Sequence, residues 1–224
     1  MLTAARSSRL TSGQRDAYER DGFLVLKSVF SPGEMLELRA ETDWLLTERR
    51  DLIDRFNLRC RFMPHHETGE PLFEVFDPVN DVAQVCREFC EDSRIVDAVG
   101  ALYGERACLF KEKLIFKPAG AKGYDIHQDI PLAWKNFPRT FVTVLIPIDA
   151  CDAENGCTQV YSGYHGGFLS QDPGQYMLPP GAVDPARRVD LALSPGDIAI
   201  FHGLTPHGSA ANRSAGMRRA FFVS

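Results

Sequence analysis

The chain has 224 residues, 44% hydrophobic and 25% charged, and a formal net charge of −5. That is enough apolar sequence to bury a full core as one domain, and the ordinary charged fraction excludes a disordered chain. The acidic balance argues against a nucleic-acid partner, and with no apolar run of bilayer length and no secretory h-region before Gln14 the expected location is cytoplasmic.

In chain order, Ser12 is placed to cap a short helix ending near Gly22, and the apolar Phe23-Leu24-Val25-Leu26 follows as a strand. Ser31-Pro32-Gly33-Glu34 is a capping box with Pro at the first helical position. Behind it Met35, Leu38, Leu45 and Leu46 keep helical spacing on a helix running towards Arg50. Across residues 55–61, alternation puts Asn57, Arg59 and Arg61 on one side and Phe56, Leu58 and Cys60 on the other. The polar set is either a solvated strand face or a surface for an anionic substrate group. His65-His66 falls in a turn-rich segment, at the surface or at the edge of a substrate pocket. Val82 to Tyr103 predicts one or two helices, with Asp92 or Ser93 as an internal cap. Cys86 and Cys90, four apart in that pattern, suit core packing. The six cysteines are scattered without a CxxC pair, which predicts reduced thiols.

After Gly104 the texture changes to strands, expected at Cys108 to Phe116, Tyr124 to Asp129, Phe141 to Ile148, Thr158 to Tyr161, Val189 to Leu193, Asp197 to Phe201 and Arg219 to Val223. Short strands at this spacing predict a mainly β fold with flanking helices, a sandwich or jelly roll. A helical part of about 12–104 would pack outside a core of about 105–224. Phe168 to Arg188 is polar and rich in Pro and Gly, a long loop of the kind that forms lids. Trp134 and Phe137 follow on a loop, as anchors or, by preference, as an apolar wall of the substrate pocket. The strand texture runs up to Ser224, which leaves a longer natural protein open.

The chemistry concentrates in His127-Gln128-Asp129 and His207. On one strand, His127 and Asp129 alternate with Gln128 and point to the same side of the sheet. With His207 from a facing strand or loop, two imidazoles and a carboxylate can hold Fe(II) on one face and leave three positions open for substrates and O2. His-x-Asp alone is a weak signal. Arg218, 11 residues beyond His207, strengthens it, because its guanidinium suits a two-point pair with a dicarboxylate. Arg219 falls on the opposite face and is expected to be surface or structural. His202 is expected to support the site without binding metal, and His165 to be a turn residue.

His127-Gln128-Asp129, Asn155-Gly156-Cys157 leading to Gly163-Tyr164-His165, Ser194-Pro195-Gly196-Asp197, and His207-Gly208-Ser209 through Asn212 to Arg218 resemble the phytanoyl-CoA dioxygenase family over roughly residues 12–224. The resemblance implies a double-stranded β-helix (jelly-roll, cupin-like) core and an oxygenase that uses Fe(II), 2-oxoglutarate and O2 and releases succinate and CO2. It makes His127, Asp129 and His207 the iron ligands, Arg218 the partner of the distal carboxylate of 2-oxoglutarate, and Ser209 its assisting hydroxyl. Lys113 falls at a further cosubstrate contact, and Gln128 near the same pocket. Leu145 stands where the acyl-CoA enzymes carry Trp, with Thr143 the nearer polar candidate. That departure speaks against a phytanoyl-CoA substrate. The polar face of residues 55–61 points instead to a small anionic molecule, with Asn57, Arg59, Arg61 and Trp134 as candidate substrate contacts. Asp129 favours hydroxylation over halogenation, which in this superfamily goes with loss of the carboxylate. Two other readings stay open: a non-catalytic jelly-roll sensor of metal and 2-oxoglutarate, and a cupin-type metalloenzyme that does not use 2-oxoglutarate.

Overall fold

A computed structural model of the chain describes residues 10–130 and 141–224. Trp134 and Phe137 lie outside the described residues. In order, the elements are α1 (Ser12–Asp21), β1 (Phe23–Leu26), α2 (Pro32–Thr47), β2 (Cys60–Pro64), β3 (Pro71–Phe76), α3 (Gln84–Cys90), α4 (Ser93–Tyr103), β4 (Glu112–Lys117), β5 (Tyr124–His127), β6 (Val142–Pro147), β7 (Thr158–Tyr161), β8 (Arg188–Asp190), β9 (Ile198–His202), β10 (His207–Ser209) and β11 (Arg218–Val223).

Local signals set the helix starts. Ser31 and Glu34 form the expected capping box on α2, and Asp92 caps α4. On α1 the cap is Thr11, one residue before the expected Ser12, because Gln14 then stands at the third helical position and closes a capping box.

Among the described residues the strands form two antiparallel sheets, one ordered β1-β9-β6-β11-β4-β3-β2 and a smaller one ordered β5-β10-β7-β8. Two packed antiparallel sheets with helices on one outer face make the fold the expected jelly roll. Strand alternation divides the core in two. Val144 and Ile146, Ile198 and Ile200, and Phe221 and Val223 face the helices, together with Leu38 and Leu45 of α2. Leu145, Ala199, Phe201, Ala220 and Phe222 face Val160 of the small sheet. The sites that matter for chemistry lie on this inner, inter-sheet side.

The first hundred residues are not wholly helical, since β1, β2 and β3 join the large sheet. Residues 55–59 are not a strand either. The chain turns there, with Asn57 Nδ2 donating to the Leu52 carbonyl at 2.8 Å and its own carbonyl accepting from Cys60 N at 2.9 Å. β2 begins only at Cys60. Asn57 and Arg59 therefore do not share a strand face with Arg61.

Candidate active site

β5 and β10 are neighbours in the small sheet, and the Cα pairing sets His207 opposite His127. The register follows from Gly208. A Cβ there would come within 2.7 Å of the Tyr124 carbonyl, so only glycine lets the two strands close. Asp129 lies just past the end of β5 and turns back towards both rings. Its Oδ1 is 3.9 Å from His127 Nε2 and 3.7 Å from His207 Nε2, and one donor atom from each of the three lies within 4.8 Å of the others. All three side chains are buried.

The hydrogen bonds orient each donor. His127 Nδ1 lies 2.8 Å from the Asp125 carbonyl and His207 Nδ1 lies 3.0 Å from the Thr205 carbonyl. A carbonyl can only accept, so both Nδ1 atoms carry the proton and both Nε2 lone pairs face the cluster. Thr143, on β6, donates to Asp129 Oδ2 at 2.7 Å, while Oδ1 is buried with no hydrogen-bond partner. Burial and the adjoining His207 push the His127 imidazole down to about 3, and burial lowers His207 as well. Burial alone would disfavour the Asp129 carboxylate, but His207, Lys113 and His127 outweigh it and hold the group below the usual carboxylate range. Two neutral imidazoles and one ionised carboxylate, each aimed at a common point and one left unpaired, are what a divalent iron ion needs.

A cavity of about 380 Å³ opens beside the cluster. At one end Arg218 donates to the Gly156 carbonyl at 2.8 Å, and its Nε is buried and unpaired. Gly156 has φ +71°, and a Cβ on it would come within 2.5 Å of the Ala210 carbonyl, so a side chain there would push the loop off the arginine. Ser209 accepts from Lys117 Nζ at 2.7 Å, and Lys117 pairs with Arg218 across β4 and β11. Burial and the adjoining Arg218 bring the Lys117 ammonium down to about 7. Tyr124 Oη and both Glu74 carboxylate oxygens are also buried without hydrogen-bond partners. Burial raises Glu74 above the ordinary carboxylate range against the pull of Lys117 and Arg218.

Not every expected residue enters this cavity. Gln128 alternates away from it: its amide donates to the Gly167 and Leu204 carbonyls and accepts from Leu169 N, so it ties down loops. Thr143 reaches Asp129 instead of the Arg218 end. Lys113 lines the cavity, but four residues along β4 from Lys117, about 13 Å at strand spacing. Arg59 pairs with Asp81 through two 2.8 Å hydrogen bonds. Arg61 does line the cavity, paired with Asp77 at 2.8 Å. His202 accepts from Leu204 N and packs on the His165 ring, outside the His127, Asp129 and His207 cluster. Sequence reading missed Lys117, Glu74, Tyr124 and two residues of the 168–188 segment. Tyr176 stacks on His127 at 5.0 Å, and Met177 bridges to His127.

The model of the phytanoyl-CoA dioxygenase family matches residues 18–220. The chain belongs to the phytanoyl-CoA dioxygenase family. Like that family, it is an Fe(II)- and 2-oxoglutarate-dependent dioxygenase. Among curated members, 2-aminoethylphosphonate dioxygenase of an uncultured bacterium (HF130_AEPn_1) is 30% identical over 97% of this chain and 82% of its own length. Methylphosphonate hydroxylase of Gimesia maris is 34% identical over 97% and 81%. Phytanoyl-CoA dioxygenase of Rattus norvegicus is 29% identical over 94% of this chain and 67% of its own length. Of solved structures, EctD from S. alaskensis with 2-oxoglutarate and 5-hydroxyectoine superposes with a TM-score of 0.75 at 19% identity, covering 100% of this chain and 77% of that one. At that identity it bears on the fold alone. Among the described residues no helix is long and apolar enough to cross a membrane.

Proposed function

We propose that this dioxygenase hydroxylates a C–H bond of a small anionic molecule, with iron held by His127, Asp129 and His207 and 2-oxoglutarate anchored at Arg218. The single observation that carries the reading is the unpaired Asp129 Oδ1, facing two Nε2 lone pairs at 3.7 and 3.9 Å in a buried pocket. Among the described residues nothing satisfies that oxygen, and an ion would. When bound, iron with 2-oxoglutarate and O2 supplies the oxidising chemistry, with succinate and CO2 released.

The chain's own residues bind and orient. Arg218 and the Ser209 hydroxyl, with Lys117 bonded behind that hydroxyl, offer the distal carboxylate of 2-oxoglutarate a charge-assisted site, next to the unpaired polar atoms of Arg218 and Tyr124. Thr143 fixes the rotation of the Asp129 carboxylate. Tyr176 packs on the His127 ring and Met177 bridges to its backbone, so both flank the reacting position. The cavity, about 380 Å³, is of a size for 2-oxoglutarate and a small partner, not for an acyl-CoA chain. The two relatives named for phosphonates make short phosphonates the first substrates to try. The acidic chain and the absence of a spanning helix among the described residues are compatible with a cytoplasmic enzyme free of nucleic-acid partners.

The test is single-turnover conversion of 2-oxoglutarate to succinate by wild type and by Asp129→Ala, with and without methylphosphonate. Wild type should turn over faster with the phosphonate, and Asp129→Ala should produce no hydroxylated product. Full product formation by Asp129→Ala would refute the ligand assignment.

A further inference from the structure

The cavity has a second cationic end that cosubstrate binding does not use. Arg61 on β2, Lys111 just before β4 and Lys113 on β4 all line it, Lys113 four residues along β4 from Lys117 and Arg61 level with Ile115 between the two. Lys113 points between the sheets with its ammonium 5.3 Å from the centre of the Phe222 ring, and among the described residues it has no hydrogen-bond or ion-pair partner. Lys111 likewise makes no side-chain bond to a described residue. Arg61 is paired with Asp77, which lines the same cavity. Three cations against one carboxylate leave a net charge of +2 at this end.

Lys113 is only part-buried, but three cations lining one cavity repel one another, and an anion bound among them would relieve that repulsion. Asp129 is the carboxylate whose field Lys113 feels most, but that charge is committed once a metal is held. Asp77 is already engaged by Arg61. Met63, Val75, Ile115 and Met177 also line the cavity and give it apolar walls that suit a short carbon chain.

Resting on the oxygenase reading above, we propose that Arg61, Lys111 and Lys113 form the substrate's oxyanion subsite and that it selects a dianionic tetrahedral group, a phosphonate on a short carbon chain, over a carboxylate. A doubly charged head group matches the +2 excess, whereas a carboxylate leaves one cation unpaired. The subsite holds the head group on the β2–β4 side, so that the adjoining carbon faces His127 and His207.

The experiment is anaerobic calorimetry on the protein loaded with Fe(II) and 2-oxoglutarate, titrated with methylphosphonate and with acetate, and with 2-aminoethylphosphonate and β-alanine. Each phosphonate should bind at least about tenfold more tightly than its carboxylate match. Lys113→Met and Arg61→Gln should each weaken methylphosphonate about tenfold or more while 2-oxoglutarate affinity stays within about twofold. Lys113→Arg, which keeps the charge, should retain most of the phosphonate affinity, and this separates charge from packing. Equal binding of phosphonate and carboxylate, or wild-type affinity in Lys113→Met and Arg61→Gln, overturns the subsite. A wild type that takes up iron and 2-oxoglutarate but no phosphonate also overturns the subsite alone. A wild type that takes up neither iron nor 2-oxoglutarate overturns the oxygenase reading beneath it.

Discussion

Arg218 lines one end of the cavity, and Lys117, its register partner, lies buried behind Ser209, so each residue's role can be separated by its charge and geometry. Arg218→Ala should weaken 2-oxoglutarate by about 3 kcal/mol or more, since it strands a buried carboxylate, and Arg218→Lys should recover only part because the two-point geometry is lost. Equilibrium titration of 2-oxoglutarate reads both. Lys117, brought down to about 7 by burial and Arg218, loses its proton as pH rises through that value. A bound dicarboxylate favours the charged form, so cosubstrate affinity should be greatest below about pH 7 and decline above it, and Lys117→Met should flatten the profile. Thr143→Val removes the hydroxyl that holds Asp129 Oδ2 and should lower metal affinity about 10–100-fold, as measured by competition with a chelator. That His127, Asp129 and His207 come together, with Arg218 at the same cavity, was legible from the short spacings His127-x-Asp129 and His207 to Arg218 and from the family resemblance that joins them. Lys117, Glu74 and Tyr124 were not, because they meet through sheet pairing and a bulge between β2 and β3, which residue spacing does not encode.

At the scale of elements, β11 shows how strand parity and burial differ. Arg218 and Arg219 point to opposite faces, as alternation predicts, and of the two expectations for Arg219, surface or structural, the structural one holds. Its face lies under α2, where it bonds Thr42 and Asp43 and makes paired hydrogen bonds to Asp149 at 2.8 and 2.9 Å. Arg219→Ala leaves Asp149 without these bonds and should cost about 3–5 kcal/mol of stability, visible as a lower urea midpoint. A midpoint within experimental scatter of wild type would show that the pair contributes nothing net. Between β10 and β11, buried Asn212 lies within hydrogen-bond distance of the Lys117, Pro118 and Gly216 carbonyls and so sets the return of the chain to Arg218. The strands after Gly104 were readable from their apolar alternation. The β2–β3 hairpin was not recognised as part of the large sheet, because its outer strand carries Arg61 and mixed exposure, and its start at Cys60 depends on the turn made by Asn57.

Across the whole molecule, the fold buries three donors from β5, its following turn and β10, and that burial has a measurable cost in acid. His127 falls to about 3 and His207 is lowered too, both from 6.5. Their folded-state values are depressed, so the unfolded chain binds more protons between these limits. The stability of the metal-free protein should be fully present above about pH 6.5 and lost as pH falls towards about 3. Urea unfolding at a series of pH values checks this, and a metal-free protein equally stable at pH 4 and pH 7 would contradict it. The central claim, that one cavity holds iron at His127, Asp129 and His207 and 2-oxoglutarate at Arg218, is tested most directly by anaerobic titration of the metal-free protein with Fe(II) and 2-oxoglutarate, followed by visible absorption. The wild type should develop a metal-to-ligand charge-transfer band that needs both components, absent in Asp129→Ala and shifted to much higher 2-oxoglutarate concentration in Arg218→Ala. A wild type that develops no such band at saturating iron and 2-oxoglutarate would contradict the account.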